Sequence, residues 1–186
     1  MNVDFLLFEG MDLMDFSGPW EVFLTANRLL ERQGEPAAFS MVAFTVDGEP
    51  VTSYGGVRVS PTGRAREDGL VIVPGVIDVR SALDDVELMA VIAASSGRTV
   101  ASVCTGAFLL GHTGLLAGRE WTTHWEDVDA LDLPGGQTAR VVDSGDVVTG
   151  GGIACGIDVG LHLVGRFAGD ELARRVARQM DYIQPG

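Results

Sequence analysis

The chain has 186 residues and no lysine, so its 13 permanently basic side chains are all arginines. Schiff-base chemistry, anchoring of pyridoxal phosphate and the P-loop phosphate site all require a lysine amine, which excludes these mechanisms. A basic face is also missing. The densest basic stretch, Arg174, Arg175 and Arg178, lies among Glu171 and Asp181, and the formal net charge is −13. Nucleic acid is not an expected partner, because neutralising phosphates requires clustered positive charge.

Cysteine and histidine are scarce, with two and three residues respectively. Cys104 and Cys155 are expected to remain reduced thiols, as is usual in the cytoplasm. Neither these cysteines nor His112, His124 and His162 follow the ligand spacing of a zinc site, so no metal is expected.

Long apolar runs are missing as well. The longest, such as LVIVPGV at 70–76, are far shorter than the ~18 residues that span a bilayer. The N-terminal segment carries Asp4 and Glu9 where a secretory signal would be positively charged. We therefore expect a cytoplasmic protein with no membrane partner.

What the sequence does contain is the alternation of an α/β protein. Its length fits one domain spanning 1–186. Short β-rich runs alternate with amphipathic stretches of helical length, which predicts a mostly parallel sheet with helices on both faces. The predicted strands are Val3–Phe8, Phe39–Val46, Leu70–Val73, Thr99–Val103 and Glu120–Thr123. The predicted helices are Pro19–Gln33 (capped by Ser17), Asp84–Ser96, Gly106–Leu116, Ile153–Ala168 and Asp170–Tyr182.

Two segments are predicted to form β-hairpins instead. VTSYGGVRVS at 51–60 turns at Gly55 and Gly56, and ARVVDSGDVVTGGG at 139–152 turns at Ser144 and Gly145. We expect both hairpins to be small additions outside the central sheet.

The sharpest local feature is the segment TVASVCTGAFLLGHTGLL. An apolar strand runs into Cys104, then Thr105 and Gly106, and then a helix, so Cys104 occupies a strand-to-helix elbow. This position lies at the carboxyl end of a parallel sheet, where ligands bind, and faces a helix N-terminus. Two interpretations remain open: a nucleophilic thiol, or a small buried hydrophobe. Cys155 lies within an amphipathic run and is expected to pack in the core.

A nucleophilic cysteine usually needs an acid or base beside it. The elbow itself supplies none, since Thr105 follows Cys104 directly. The candidates from other segments are His124, at the end of a predicted strand, and Asp15, in the loop before the first predicted helix. Both are expected at the same sheet edge as Cys104. An acid near a helix start also has a purely structural role as a dipole stabiliser, and this interpretation of Asp15 remains open.

Four separated motifs together resemble the ThiJ/PfpI superfamily, which is class I glutamine-amidotransferase-like, over about residues 3–182. They are LLFEGMDLMDFSGPWEVF, LVIVPG, SVCTGAFLLGHTGLLAGREWTTHW and VVTGGGIACGIDVGLHLV. Within the superfamily, the chain is similar to the branch that holds isonitrile hydratases and the sensor-like domains of AraC-type regulators. The resemblance implies a flavodoxin-like fold.

The resemblance also implies roles for individual residues. Cys104 would be the nucleophile and Asp15 its acidic partner, with Thr105 and the backbone at Gly152 and Ile153 lining the pocket. The segment at Gly75 would offer an oxyanion donor. The remaining backbone donors near the intermediates would be the N–H groups of Val76 and Gly106.

Two positions depart from relatives in the superfamily. Many relatives have a second glycine where this chain has Val76, so a side chain narrows the pocket and leaves substrate choice open. The protease-like branch has histidine after the cysteine, and Thr105 in its place argues against peptidase activity.

The leading functional hypothesis is hydration of an isonitrile to an N-substituted formamide, through a Cys104 thioimidate with Asp15 as general acid. This chemistry needs no cofactor. A glyoxalase or deglycase acting on a 2-oxoaldehyde is one alternative, although a glutamate more typically serves as the acid there. A ligand-sensing module like those of AraC-type regulators is another.

Two further expectations concern assembly and ionisation. The superfamily commonly forms homodimers, so we expect one here, with residues 15–20 and their large apolar side chains Phe16 and Trp20 near the interface. The helix N-terminus and converging N–H donors predict a lowered pKa for Cys104. The pKa of Asp15 is expected to be raised, because it helps only when protonated beside a thiolate.

Overall fold

The computed structural model describes residues 1–183 and confirms the flavodoxin-like α/β architecture. A six-stranded sheet has the order β2-β1-β5-β6-β8-β7, and every pairing is parallel except β7 with β8. The strands are β1 (Asn2–Leu6), β2 (Ser40–Phe44), β3 (Val51–Thr52), β4 (Arg58–Val59), β5 (Leu70–Val73), β6 (Thr99–Val103), β7 (Val141–Asp143) and β8 (Val147–Gly150). The helices are α1 (Leu13–Glu31), α2 (Val79–Asp84), α3 (Val86–Ala94), α4 (Gly106–His112), α5 (Cys155–Ala168) and α6 (Asp170–Gln179).

The helices flank the sheet in two groups, α1 with α5 and α6, and α2 with α3 and α4. Strands β1, β5, β6 and β8 are almost wholly buried, and the continuous apolar sequence of β5 predicts this directly. Because these strands are parallel, their carboxyl ends meet at one edge of the sheet, and the loops leaving that edge carry the candidate residues. Within 1–183, no helix combines the length and apolarity needed to cross a bilayer.

Helix α1 begins six residues earlier than predicted. Asp12 is its N-cap and accepts a hydrogen bond from the Met14 N–H, so the predicted start at Pro19 with Ser17 as the cap is wrong. Proline removes only one helical hydrogen bond near an N-terminus, and the helix continues through it. Asp15, expected in a loop, therefore lies in the first turn of α1.

Three other predictions need correction. The segment Glu120–Thr123 is not a strand, because only Trp121 forms an isolated bridge, to Gly136. The segment 139–152 does contain a hairpin, but β8 pairs with β6 inside the central sheet. The predicted helix Asp84–Ser96 is present as α3, which is capped by Asp85, but the short helix α2 before it, capped by Asp78, was not predicted. The hairpin of β3 and β4 does form a separate two-stranded sheet.

Other element ends shift by a few residues. Helix α4 stops at His112, two residues before Gly114, which has a φ of 80°. Helix α5 starts at Cys155 and not at Ile153. Cys155 is therefore the first residue of its helix, and it is buried as expected.

Candidate active site

Cys104 lies at the end of β6 on the predicted elbow. Its φ is 54°, which makes it one of three non-glycine residues within 1–183 in the left-handed region. Such a conformation costs ~1–3 kcal/mol and requires surrounding contacts to hold it. The Cys104 N–H donates to the carbonyl oxygens of Gly150, at 3.1 Å, and Gly151, at 2.8 Å. The end of β8 thus fixes one side of the elbow.

Gly106 lets α4 start directly behind the elbow. A Cβ at this position would lie 2.6 Å from the carbonyl oxygen of Val73 and 2.9 Å from that of Pro74. Any larger residue would push α4 away from the end of β5. The packing of α4 against the end of β5 therefore requires glycine at position 106, which is one of the residues predicted for the site.

Asp15 is fully buried, although it is a carboxylic acid. Its Oδ2 accepts a hydrogen bond from the Gly75 N–H at 3.0 Å. Its Oδ1 meets no hydrogen-bond partner in the part of the chain that the structure describes. The carboxyl group is nevertheless close enough to Cys104 for each group to alter the pKa of the other. One carboxyl oxygen is thus held by backbone while the other is left available beside the thiol.

Gly75 is the point where the acid and the elbow converge. A Cβ there would lie 2.6 Å from Asp15 Oδ2 and 2.8 Å from Thr105 Oγ1. Thr105 Oγ1 accepts the Val76 N–H at 2.8 Å and donates to the Val76 carbonyl oxygen at 2.7 Å. The N–H groups of Gly75 and Val76 therefore hold the side chains of Asp15 and Thr105. A substrate could use either N–H only by displacing one of these side chains.

Burial raises the pKa of Asp15 to about 8, with a smaller contribution from the charge of Asp12. The Gly75 hydrogen bond and the Cys104 thiol oppose this shift. The expected direction for Asp15 is confirmed. At neutral pH, the protonated carboxylic acid is the favoured form.

The expectation of a lowered pKa for Cys104 is wrong. Burial, followed by the charge of Asp15, raises the pKa of this thiol to about 12. The N–H group and the side chain of Thr105 both favour the thiolate, but together they do not offset removal of the thiol from water. Since Cys104 is only 8% exposed, the resting site holds a neutral thiol beside a neutral carboxylic acid.

Three further residues predicted for the site, His124, Gly152 and Ile153, come from the segments next to Thr123 and Gly151, which bond to the backbone of Cys104. A Cβ at Gly152 would be 2.8 Å from His124 Cδ2, so the imidazole packs against that glycine. His124 Nδ1 lies 3.6 Å from a carboxylate oxygen of Asp127. Among the described residues, no hydrogen bond joins His124 to Cys104 or Asp15. Ile153 is 43% exposed.

Val76 is almost fully buried, and its Cγ2 would lie 3.7 Å from a Cβ built on Gly10. Together with Ile77, Asp78 and Tyr54, it lines an open cavity of about 390 Å³. Cys104 and Asp15 do not line this cavity.

Sequence reasoning missed one contact of the elbow. Thr123 Oγ1 donates a hydrogen bond to the Cys104 carbonyl oxygen at 2.8 Å, and Thr123 is 1% exposed. It comes from the segment wrongly predicted as a strand, and only its position one residue before His124 marked it. No set of three or more His, Cys, Asp or Glu side chains in residues 1–183 is arranged to hold a metal ion.

A strained cysteine at a strand-to-helix elbow, paired with a buried acid, is accompanied by a family match. A sequence model described as the DJ-1/PfpI family matches residues 1–166. The chain belongs to the DJ-1/PfpI family.

Individual relatives of this DJ-1/PfpI protein include both enzymes and regulators. An isonitrile hydratase of Pseudomonas putida is 34% identical over 98% of this chain and 78% of its own length. The HTH-type transcriptional regulator GbdR of Pseudomonas aeruginosa is 27% identical over 97% of this chain, which spans 50% of the regulator. Among solved structures, a ThiJ/PfpI family protein from Pseudomonas syringae has a TM-score of 0.86 and 29% identity, covering 100% of this chain and 76% of its own.

Proposed function

We propose that this DJ-1/PfpI protein hydrates an isonitrile to an N-substituted formamide. The observation that carries the proposal is the buried acid Asp15, whose pKa is raised to about 8 and whose Oδ1 is left without a partner among residues 1–183, beside the thiol of Cys104. The similarity to an isonitrile hydratase over nearly the whole chain supports the same reaction.

The first step joins the substrate to Cys104. The terminal carbon of R–N≡C carries a lone pair and is also electron-poor, so it can accept a proton and a nucleophile in turn. Asp15 protonates this carbon, the Cys104 sulfur bonds to it, and the thiol proton passes to the Asp15 carboxylate. The product is the thioimidate R–N=CH–S–Cys104, and Asp15 ends the step protonated as it began.

The second step releases the formamide. The oxygen of a water molecule bonds to the thioimidate carbon, and one water proton goes to nitrogen. The C–S bond then breaks, the second water proton returns to sulfur, and R–NH–CHO leaves. All atoms are supplied by the isonitrile and water, with no oxidant, reductant or cofactor.

The neutral resting pair suits this chemistry. An enzyme that relied on a preformed thiolate would require a lowered cysteine pKa, whereas burial here raises it to about 12. Isonitrile addition instead begins with proton donation, and an acid that is protonated at neutral pH performs that step. The Gly75 and Val76 amides keep Asp15 and Thr105 in place during both steps.

The shape of the site also favours a narrow reacting group. Cys104 is 8% exposed, so only a slender group can approach its sulfur. An isonitrile presents its reacting carbon at the end of a linear R–N≡C unit with no branches next to that carbon.

The direct test incubates the purified protein with a small aryl or alkyl isonitrile and measures the matching formamide by mass spectrometry. We expect formamide to accumulate catalytically, in molar excess over protein. Loss of methylglyoxal without formamide production would instead identify a glyoxalase or deglycase. Aspartate at position 15, where a glutamate more typically serves in that class, argues against this alternative.

A ligand-sensing role is the second candidate, favoured by the similarity of the whole chain to half of the regulator GbdR. A sensor would bind a small molecule at the elbow without turning it over. A ligand-induced rise in melting temperature, with no product formed from that ligand, would identify this role.

We also propose that the protein is a homodimer through the surface around Met14 and Ile153. Both side chains are exposed apolar groups, and Met14 Cε lies 3.7 Å from the point where Gly18 would carry a Cβ, next to Ile157. Phe16, expected at the interface, packs largely inward, with its ring centroid 5.7 Å from that of Phe5. Docking a second copy would remove the apolar surface from water.

Light scattering at micromolar concentration should give twice the 19.7 kDa of one chain. Met14→Glu should shift the protein towards monomer, because a charge would be buried at the interface. Val86→Glu is the matched control, since Val86 is also an exposed apolar residue but lies at the start of α3. A wild-type mass of one chain, or equal dissociation of both variants, would contradict the proposed interface.

A further inference from the structure

The carbonyl group of Cys104 is held by a side chain from a distant segment of the chain. It accepts a hydrogen bond from Thr123 Oγ1 at 2.8 Å and a longer one from the Ala107 N–H, within α4, at 3.3 Å. Thr123 is 1% exposed, so water does not compete for its hydroxyl group. A side chain 19 residues away in sequence therefore makes the shorter of the two bonds to this carbonyl.

The segment that carries Thr123 is anchored independently of the elbow. The Trp121 N–H donates to the Gly135 carbonyl oxygen at 3.0 Å, and its indole Nε1 donates to that of Pro134, also at 3.0 Å. The Thr122 N–H donates to Thr149 Oγ1 on β8 at 2.8 Å. These bonds present the Thr123 hydroxyl group from a fixed position, so it can hold the carbonyl of Cys104 in one orientation.

Holding that carbonyl also orients the reactive side of the elbow. The peptide between Cys104 and Thr105 is planar and trans, so its C=O and N–H point in opposite directions and turn together. The Thr105 N–H is the backbone donor that favours the thiolate form of Cys104. A rotation of the peptide plane that released the carbonyl from Thr123 would also turn this N–H away from the sulfur.

We propose that Thr123 is a positioning residue for the Cys104 nucleophile: its hydroxyl group fixes the Cys104–Thr105 peptide plane and thereby keeps the Thr105 N–H directed at the sulfur. Thr123 touches neither the sulfur nor the substrate in this role. The inference deepens the proposed hydratase function, on which its kinetic part rests. Its chemical part, the reactivity of Cys104, can be measured without any substrate.

The test compares Thr123→Val, which keeps the shape and removes the hydroxyl group, with Thr123→Ser, which keeps the hydroxyl group. The readouts are the rate of Cys104 alkylation by iodoacetamide, located by peptide mass spectrometry, and kcat and KM for the isonitrile. Loss of one hydrogen bond should slow alkylation and kcat in Thr123→Val by about five- to tenfold with KM little changed. Thr123→Ser should retain at least about half of both rates.

Thr122→Val is the matched control. Thr122 is the neighbouring threonine and is equally buried, but its hydroxyl group donates to the Ala139 carbonyl oxygen at 3.0 Å and reaches Thr123 only at the backbone carbonyl oxygen, at 3.4 Å. The Thr122→Val variant should be less stable than wild type, with no change in the rate of Cys104 alkylation. Wild-type rates in Thr123→Val, equal slowing by Thr122→Val, or a serine variant as slow as the valine variant would each overturn the proposal.

Two arrangements keep the test decisive. If Thr123→Val does not fold, Thr123→Ala and Thr123→Ser form a second pair, in which slower alkylation of the alanine variant alone supports the proposal and equal rates overturn it. If the wild-type protein makes no formamide, the hydratase function fails, while the alkylation rates still decide the role of Thr123.

Discussion

Cys104→Ala should lower the rate of formamide production by at least about a thousandfold. In the proposed mechanism, no covalent intermediate forms without the sulfur, and removal of a nucleophile commonly has effects of this size or larger. Alanine at this position adopts the same left-handed backbone with the same steric cost as cysteine, so the fold should persist. The measurement is formamide production, with thermal unfolding recorded for each variant.

The matched control is Cys155→Ala, which should retain more than half of the activity. Cys155 is the second buried thiol, at the first position of α5, and its sulfur lies 3.2 Å from the point where Gly151 would carry a Cβ. It therefore packs behind the elbow and is not placed to attack a substrate. Full activity of Cys104→Ala would refute covalent catalysis by this residue. Equal loss in both variants would point to a packing effect.

Asp15→Asn should have opposite effects on stability and activity. A carboxylic acid whose pKa is about 8 when folded and 3.8 when unfolded keeps its proton in the folded state while the unfolded chain loses it. The free energy of unfolding therefore falls as the pH rises from about 4 to about 8. Below about pH 4 the carboxylic acid is protonated in both states, so it does not destabilise the folded protein there. Asparagine does not titrate, so the variant should be more stable than wild type at pH 8, by an amount on the order of 4 kcal/mol.

Urea unfolding of both proteins at several pH values between 4 and 8 measures this difference. The difference in the free energy of unfolding between Asp15→Asn and wild type should grow from about pH 4 to about pH 8, because the two proteins share every other titrating group. Asp85→Asn is the control, since asparagine also caps a helix well and Asp85 caps a different helix, α3, so the buried acid keeps its surroundings. A difference that does not change with pH would show that Asp15 is ionised in the folded protein.

Asp15→Asn should also lower the rate of isonitrile hydration, by at least about a hundredfold. An amide can accept the Gly75 N–H and donate a hydrogen bond towards Cys104, but it cannot transfer a proton to the isonitrile carbon. Asp15→Ala should be slower still, because it also loses both hydrogen bonds. Asp15→Asn activity close to that of wild type would exclude Asp15 as the general acid.

The expected gain in stability of Asp15→Asn, combined with its expected loss of activity, has a physical basis. The fold buries an acid that would be more stable in water, and the Gly75 hydrogen bond offsets only part of the cost. Retaining such a group lowers stability and supplies a proton donor that works at neutral pH. Functional sites commonly hold unfavourable groups of this kind.

The elements that sequence predicts well depend on local pattern. The continuous apolar runs of β5 and β6 indicate strands buried on both faces, and the structure confirms both. The elbow follows from an apolar strand that meets Cys104 and Gly106 at the start of a helix. Errors occur where two local signals compete. Asp12 and Ser17 are both good N-caps, and only the earlier one begins α1.

Non-local contacts account for the other errors. The segment of Thr122 and Thr123 has the composition of a strand, yet its backbone is held by Thr149 and by the loop at Gly135. The hairpin of β7 and β8 has the alternation of an isolated ribbon, but β8 completes the central sheet beside β6. Which strand a segment pairs with is set by the whole sheet, so local alternation does not determine it.

The sequence by itself determined the α/β class, the family resemblance, the elbow at Cys104 and the candidate acid Asp15. Each of these depends on motifs or patterns of neighbouring residues, which the sequence shows directly. Only the tertiary structure decided how the site is charged. Asp15 meets Gly75 across 60 residues and Val76 meets Thr105 across 29, and the burial that these contacts create raises the pKa of both Asp15 and Cys104. Desolvation depends on every atom packed around a group. The neutral thiol, opposite to the expectation from the helix N-terminus, therefore follows from the assembled fold and not from the local sequence.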